Sequence, residues 1–183
     1  MSLKPGCVNI PLVVKNLCFL LIILLCCGCS SSKKKIIAES LDATAVITGS
    51  VVNSSAFTKG GTLVLGAFKA GTNAAADDET DQLSSMMIKG IRETLPEDNT
   101  TFSIQAADSK DPDCFLEGYI DEYAQKGNKA RFSIDGEIWL RSTGEKILVF
   151  QTSTVINLKN QDPKTAAYQI GVAIAHFIGS HNI

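Results

Sequence analysis

Hydrophobic and polar positions along this chain fall into three kinds of pattern. The first is an unbroken apolar run, "LCFLLIILLCCG" from Leu17 to Gly28. The second is alternation. Between Ala130 and Arg141 every other residue is small or apolar: Ala130, Phe132, Ile134, Gly136, Ile138 and Leu140 share one face, and Arg131, Ser133, Asp135, Glu137, Trp139 and Arg141 share the other. Period-two alternation predicts a strand with one face on a core and one in water. The third is helical spacing. Leu83, Met87, Ile91 and Leu95 recur every fourth residue, and Ala167, Ile170, Ile174 and Phe177 form a second stripe, so each segment predicts an amphipathic helix.

Punctuation residues divide the rest. "ATAVITGSVV" predicts a strand over about Thr44 to Val52, and "TLVLGAF" one over Thr62 to Phe68. "NSSAFTKGG" between them reads as a loop, and "KAGTNAAADDETD" as another. Asp77, Asp78, Glu79 and Asp81 load the front of the first helix, where a helix N-terminus favours negative charge. The alternative reading of that cluster, a Ca²⁺ loop, lacks the required ligand spacing. Pro96 is expected to stop this helix, and Gly90 inside it implies close approach of another element. "TFSIQAA" is a short strand. The segment from Cys114 to Leu158 then reads as three strands joined by the turns "QKGN" and "STGE", an antiparallel meander. Asp162 and Pro163 have the chemistry of an N-cap and first position for the last helix, and Gly179 ends it. The expected fold is α+β in two layers: a mixed sheet with the meander, and two helices packed on one face.

The apolar run near the N-terminus organises the chain. Lys4 and Lys15 are the only charges before Cys29. A basic start and a short apolar centre describe an export signal, and the run is shorter than the ~20 residues of a spanning helix. "LLCCGCSS" resembles a bacterial lipobox, with Gly28 as the small residue and Cys29 as the lipid-bearing cysteine; Cys27 is the fallback. The resemblance implies a signal peptide over 1–28, a lipidated cysteine and flexible tether over 29–41, and one periplasmic α+β domain over 42–183. Ser30, rather than aspartate, after the modified cysteine is similar to lipoproteins sorted to the outer membrane.

Removing the leader takes Lys4 and Lys15 with it, so 15 basic residues face 19 acidic ones, a net charge of −4. That balance argues against a general nucleic-acid binder. Lys33 to Lys35 form a basic run beside the anchor, suited to anionic head groups or to a solvated tether. Of the six cysteines only Cys114 remains as a free thiol, flanked by Asp111 and Asp113, and it reads as a small buried hydrophobe at a strand start rather than a nucleophile.

No catalytic or metal-binding motif is present, neither GxSxG, P-loop, GxGxxG nor HExxH. The expectation is therefore a non-enzyme without cofactor or metal. His176 reads as a helix-boundary residue and His181 as part of a frayed end. Trp139, the single tryptophan, points outward with Arg131, Asp135, Glu137 and Arg141, a candidate partner-binding face. Its bland alternative is cover by the tether or cation–π contact with Arg141.

"LEGYIDEY", "GNKARF" and "STGEK", spread over Cys114 to Lys146, resemble a domain of uncharacterised bacterial lipoproteins. More loosely, the element order is similar to periplasmic α/β lipoproteins that activate cell-wall synthases or assemble the curli export pore. These resemblances imply an outer-membrane-anchored accessory module that binds an envelope protein. The other expectations are an envelope hydrolase using Glu117 and Asp121, and a self-associating structural lipoprotein.

Overall fold

A computed structural model describes residues 34–40, 43–74, 77–98 and 101–181. The leader and Cys29 lie outside the described residues. Within them a sheet of seven strands forms, β1 (Lys34–Ser40), β2 (Ala43–Val51), β3 (Gly61–Asn73), β4 (Phe102–Gln105), β5 (Cys114–Lys126), β6 (Lys129–Leu140) and β7 (Lys146–Asn157). Three helices accompany it: α1 (Ser54–Lys59), α2 (Asp77–Asp98) and α3 (Pro163–Gly179). The class is α+β, as the patterning predicts.

The strand order is β1-β2-β7-β6-β5-β3-β4. β5, β6 and β7 form the expected antiparallel meander, turning at Gly127 (φ 60°) and Gly144 (φ 68°), where a side chain would be strained. β3 runs parallel to both β4 and β5, so α2 serves as the crossover from β3 to β4.

The alternation of β6 is as read. Ala130, Phe132, Ile134, Gly136 and Ile138 are buried, while Arg131 and Asp135 are exposed. The helical stripes meet that inner face: Leu83, Met87, Ile91 and Leu95 of α2, and Ala167, Ile170, Ile174 and Phe177 of α3, are at most 2% exposed. The Asp162 carboxylate accepts from the Thr165 N–H at 3.0 Å and caps α3, with Pro163 following. The two helices touch backbone to backbone. A Cβ on Gly90 would lie 2.3 Å from the Tyr168 carbonyl oxygen, and one on Gly171 2.1 Å from that of Met87. The close approach expected from Gly90 is therefore to α3.

Four expectations need correction. The segment 30–41, expected as a tether, contains β1, which pairs along its whole length with β2. "SSAFTK" is the short helix α1, not a loop: Asn53 Oδ1 accepts from Ala56 N–H at 3.0 Å, and Phe57 anchors it in the core, edge-on to Phe102. β3 continues five residues past Phe68, through the supposed loop residues Lys69–Asn73. Pro96 lies inside α2, which ends at Asp98. A proline in the last turn removes one N–H without breaking a long run of bonds, so the helix closes one turn later than expected.

Candidate functional site

On the face of the sheet turned away from α2 and α3 lies a concavity of about 410 Å³. Five adjacent strands line it: Thr48 and Ser50 of β2, Val149 and Gln151 of β7, Asp135 and Glu137 of β6, Glu117 and Tyr119 of β5, and Lys69 of β3. Its floor explains its existence. Phe68, Gly118, Gly136, Phe150 and Gly49 are successive partners across the five strands, forming one rung. On the core side the Phe68 ring covers Gly118 and the Phe150 ring covers Gly136, where a Cβ would meet ring carbons at 2.5 Å and 2.2 Å. Gly49 leaves room for Phe177, whose ring would be 2.9 Å from a Cβ there. A rung of glycines roofed by aromatic rings lets a sheet bend. The sheet is curled, and Gly49, Gly118, Gly136 and Phe150 border the hollow on its other side.

The charges in this groove are organised. Glu137 pairs with Lys146 at 2.6 Å. Asp135 is hydrogen-bonded to Asp121, and its carboxyl is held above the ordinary 3.8 by burial first, then by that bond and the Asp121 charge. The consequence has a definite sign. The native state keeps the Asp135 proton at pH values where the unfolded chain has lost it. This favours the fold in acid, and the benefit fades as pH rises through the raised value. Asp135→Asn keeps the hydrogen bond without the repulsion. It should raise the midpoint of thermal unfolding at neutral pH by an amount equivalent to less than about 1 kcal/mol, with little change at pH 4. Thermal melts across pH check this.

Asp113 acts in the opposite sense, at the start of β5. Its Oδ2 accepts from Thr62 N–H at 2.9 Å and from the Thr62 hydroxyl at 2.7 Å, fastening β3 to β5. These bonds hold its carboxyl below 3.8. Their contribution is present above the ordinary carboxylate range and is lost as pH falls through the lower native value.

Of the five residues expected to form a partner face, Arg131, Asp135, Glu137 and Trp139 lie along β6 and Arg141 follows its end, and they divide. Asp135 and Glu137 line the groove. Arg131 lies beyond one end, opposite Val155. Trp139 and Arg141 lie at the other end. Trp139 is half-buried and stacks on Phe115, its cross-strand partner, with centroids 4.7 Å apart. Arg141 pairs with Asp111 at 2.5 Å. Tyr119, 52% exposed, is the large side chain at the groove that the sequence reading passed over, together with Lys69, Gln151, Thr48 and Ser50.

The remaining candidates occupy structural places. Cys114 is fully buried at the first position of β5, and burial, with Asp113 beside it, pushes its thiol up to about 11. It should resist thiol reagents at pH 8 in the native protein and label at once on unfolding, which a mass-shift assay reads directly. His176 is exposed on α3 and contacts Asp98 at the end of α2. His181 is not frayed. It is 5% exposed, bonded through Nδ1 to the Phe177 carbonyl at 2.8 Å, and packed against Phe177 and Phe57. Asp78, Glu79 and Asp81 lie in the opening turns of α2, and among the described residues no group of three acids, histidines or cysteines is placed to hold a metal ion. No described helix is long and apolar enough to cross a membrane.

No family model and no curated protein matches this chain in sequence. Solved structures do match in shape. The PelC dodecamer from Paraburkholderia phytofirmans superposes with a TM-score of 0.53 at 12% identity, covering 73% of this chain and 96% of that one. A variant of the same dodecamer gives 0.51 at 10% identity over the same shares. A DUF330 protein from Xanthomonas campestris gives 0.43 at 12% identity, over 66% of this chain and 83% of that one. At such identities the PelC likeness is one of fold.

Proposed function

We propose that this chain is a cell-envelope lipoprotein, anchored through Cys29, whose α+β domain is a non-catalytic accessory module. It binds an envelope protein through the groove on its outer sheet face. The observation that carries this reading is the groove itself. It joins an exposed aromatic, Tyr119, to the carboxylates Glu117, Asp135 and Glu137. An aromatic anchor inside a polar rim is the arrangement that protein recognition uses. Glu137 already pairs with Lys146, so it is Glu117 and Asp135, with Asp121 beside it, that favour a partner segment bearing arginine or lysine.

A hydrolase built on Glu117 and Asp121 would need those two carboxyls to face one substrate, whereas Asp121 is engaged with Asp135. The leader and the serine after Cys29 favour an envelope setting, with the outer membrane as the anchored surface.

The test is crosslinked capture of the full-length tagged protein from intact cells, read by mass spectrometry. One or two dominant envelope partners are expected with the wild type, and Tyr119→Ala should lose them while keeping its thermal midpoint. An unchanged partner list in that variant contradicts the groove as the docking site.

A second reading rests on one observation, that the PelC structures are dodecamers. This domain then works as an assembly of its own copies. Sedimentation of the lipidated chain in detergent as a monomer counts against it.

A further inference from the structure

β1 changes where the domain can sit. Only Ser30, Ser31, Ser32 and Lys33 separate Cys29 from the first residue of β1. Five extended steps reach at most ~18 Å. The sheet is longer than that: β6 alone has 12 residues, or ~40 Å at the rise of a strand. An anchor on Cys29 therefore cannot let the domain turn over. The end from which β1 starts must stay close to the bilayer.

The pairing registers identify that end. Lys34 pairs with Gly49 near the end of β2, Val51 with Leu148 near the start of β7, Trp139 with Lys146, and Phe115 with Trp139. The same end carries Val52, 57% exposed, and α1 with Lys59 in its last turn. Acids are present here as well: Asp111 with Arg141, Asp113 with Thr62, Glu137 with Lys146, Glu145 with the Asn53 side-chain amide at 2.8 Å and Asp98 with His176 are engaged, and Glu97 is exposed in the last turn of α2. Lys33, Lys34 and Lys35 add three positive charges where the chain enters the sheet. An exposed valine, a stacked Trp–Phe pair and a lysine cluster match the two layers of a bilayer surface. Tryptophan favours the head-group level, and each lysine there gains about 1 kcal/mol from anionic lipid.

We propose that this end of the domain rests on the lipid surface, with Trp139 and Val52 at head-group depth. The inference rests on the anchoring of Cys29. It places the groove above the bilayer, since Asp135 lies four residues from Trp139 along β6, a rise of ~13 Å, and it opens the groove sideways to a partner in the same leaflet's aqueous space.

Trp139 is the only tryptophan, so the chain carries its own probe. The lipidated full-length protein is reconstituted into phosphatidylethanolamine–phosphatidylglycerol vesicles with or without brominated acyl chains. Co-flotation with the vesicles reports the anchor. Among floated protein, bromine should reduce Trp139 emission by at least about twofold, as a residue at the interface requires. A variant combining Trp139→Phe with Asn128→Trp moves the probe to the β5–β6 turn at the opposite end and should show no quenching. The variant Lys34→Glu, Lys35→Glu should weaken the Trp139 quenching. Flotation without Trp139 quenching, or equal quenching at both ends, overturns the orientation while leaving the anchor standing. Failure to float overturns the anchor, and the orientation with it.

Discussion

Gly171→Ala is expected to destabilise the domain by about 1–3 kcal/mol, although glycine-to-alanine in an open helix gains up to about 1 kcal/mol. The sign is decided by geometry. The new methyl would lie 2.1 Å from the Met87 carbonyl oxygen and 3.0 Å from its Cα. Both are backbone atoms of α2, and they cannot move aside as a long side chain can. The helices must separate, and Leu83, Met87, Ile91, Ile170 and Ile174 lose packing together. Gly171→Leu should be worse, by about 3 kcal/mol or more, a fall of roughly 10 °C in Tm for a domain of this size. Gly90→Ala, against the Tyr168 carbonyl at 2.3 Å, should behave as Gly171→Ala does. Chemical denaturation of the three variants checks the prediction. Stabilisation by either alanine would show that α2 and α3 do not cross at these glycines.

The second large effect is at Gly136. Valine is a better strand former than glycine by up to about 1 kcal/mol, yet Gly136→Val should cost about 1–3 kcal/mol. Its Cβ would enter the Phe150 ring, 2.2 Å from Cζ. Here the obstacle is a side chain, so the conflict can be relieved. Gly136→Val combined with Phe150→Ala should be more stable than the sum of the two single changes predicts, a coupling that a double-mutant cycle measures. The same substitution should flatten the rung that floors the groove. Gly136→Val is therefore expected to weaken partner capture even under conditions where the domain remains folded. Strict additivity in the cycle would remove the glycine–aromatic rung as the origin of the groove.

These two sites show what the sequence makes legible. Gly90 signals the close approach of another element because a glycine in the middle of a four-residue apolar period has few other reasons to be there; that the element is α3 is seen only in the structure. Its counterpart Gly171 was visible only as a residue beside the second stripe. The outer face of β6 was legible because alternation needs no knowledge of neighbours. The groove was not, because it depends on lateral strand order. Thr48, Gln151, Tyr119 and Lys69 become neighbours of Asp135 only once β2, β7, β6, β5 and β3 lie side by side. No local period encodes that order. β1 was hidden for a related reason: "KKIIAES" is too short and too charged to show alternation, and its partner strand supplies the pairing. α1 has six residues, less than two turns, so only Asn53 as cap and Phe57 as anchor could have signalled it. His181 looked frayed by its position, yet its ring finds Phe57, a residue 124 positions away in the sequence.

The outer-face groove as a docking site is tested most directly by a photo-crosslinking amino acid placed at Tyr119, in the full-length protein in living cells. The comparison is the same group at Arg92, exposed on α2. The account predicts a discrete crosslinked envelope protein from position 119 and none from position 92. The same product from both positions, or none from position 119 while the protein is folded and anchored, would contradict it.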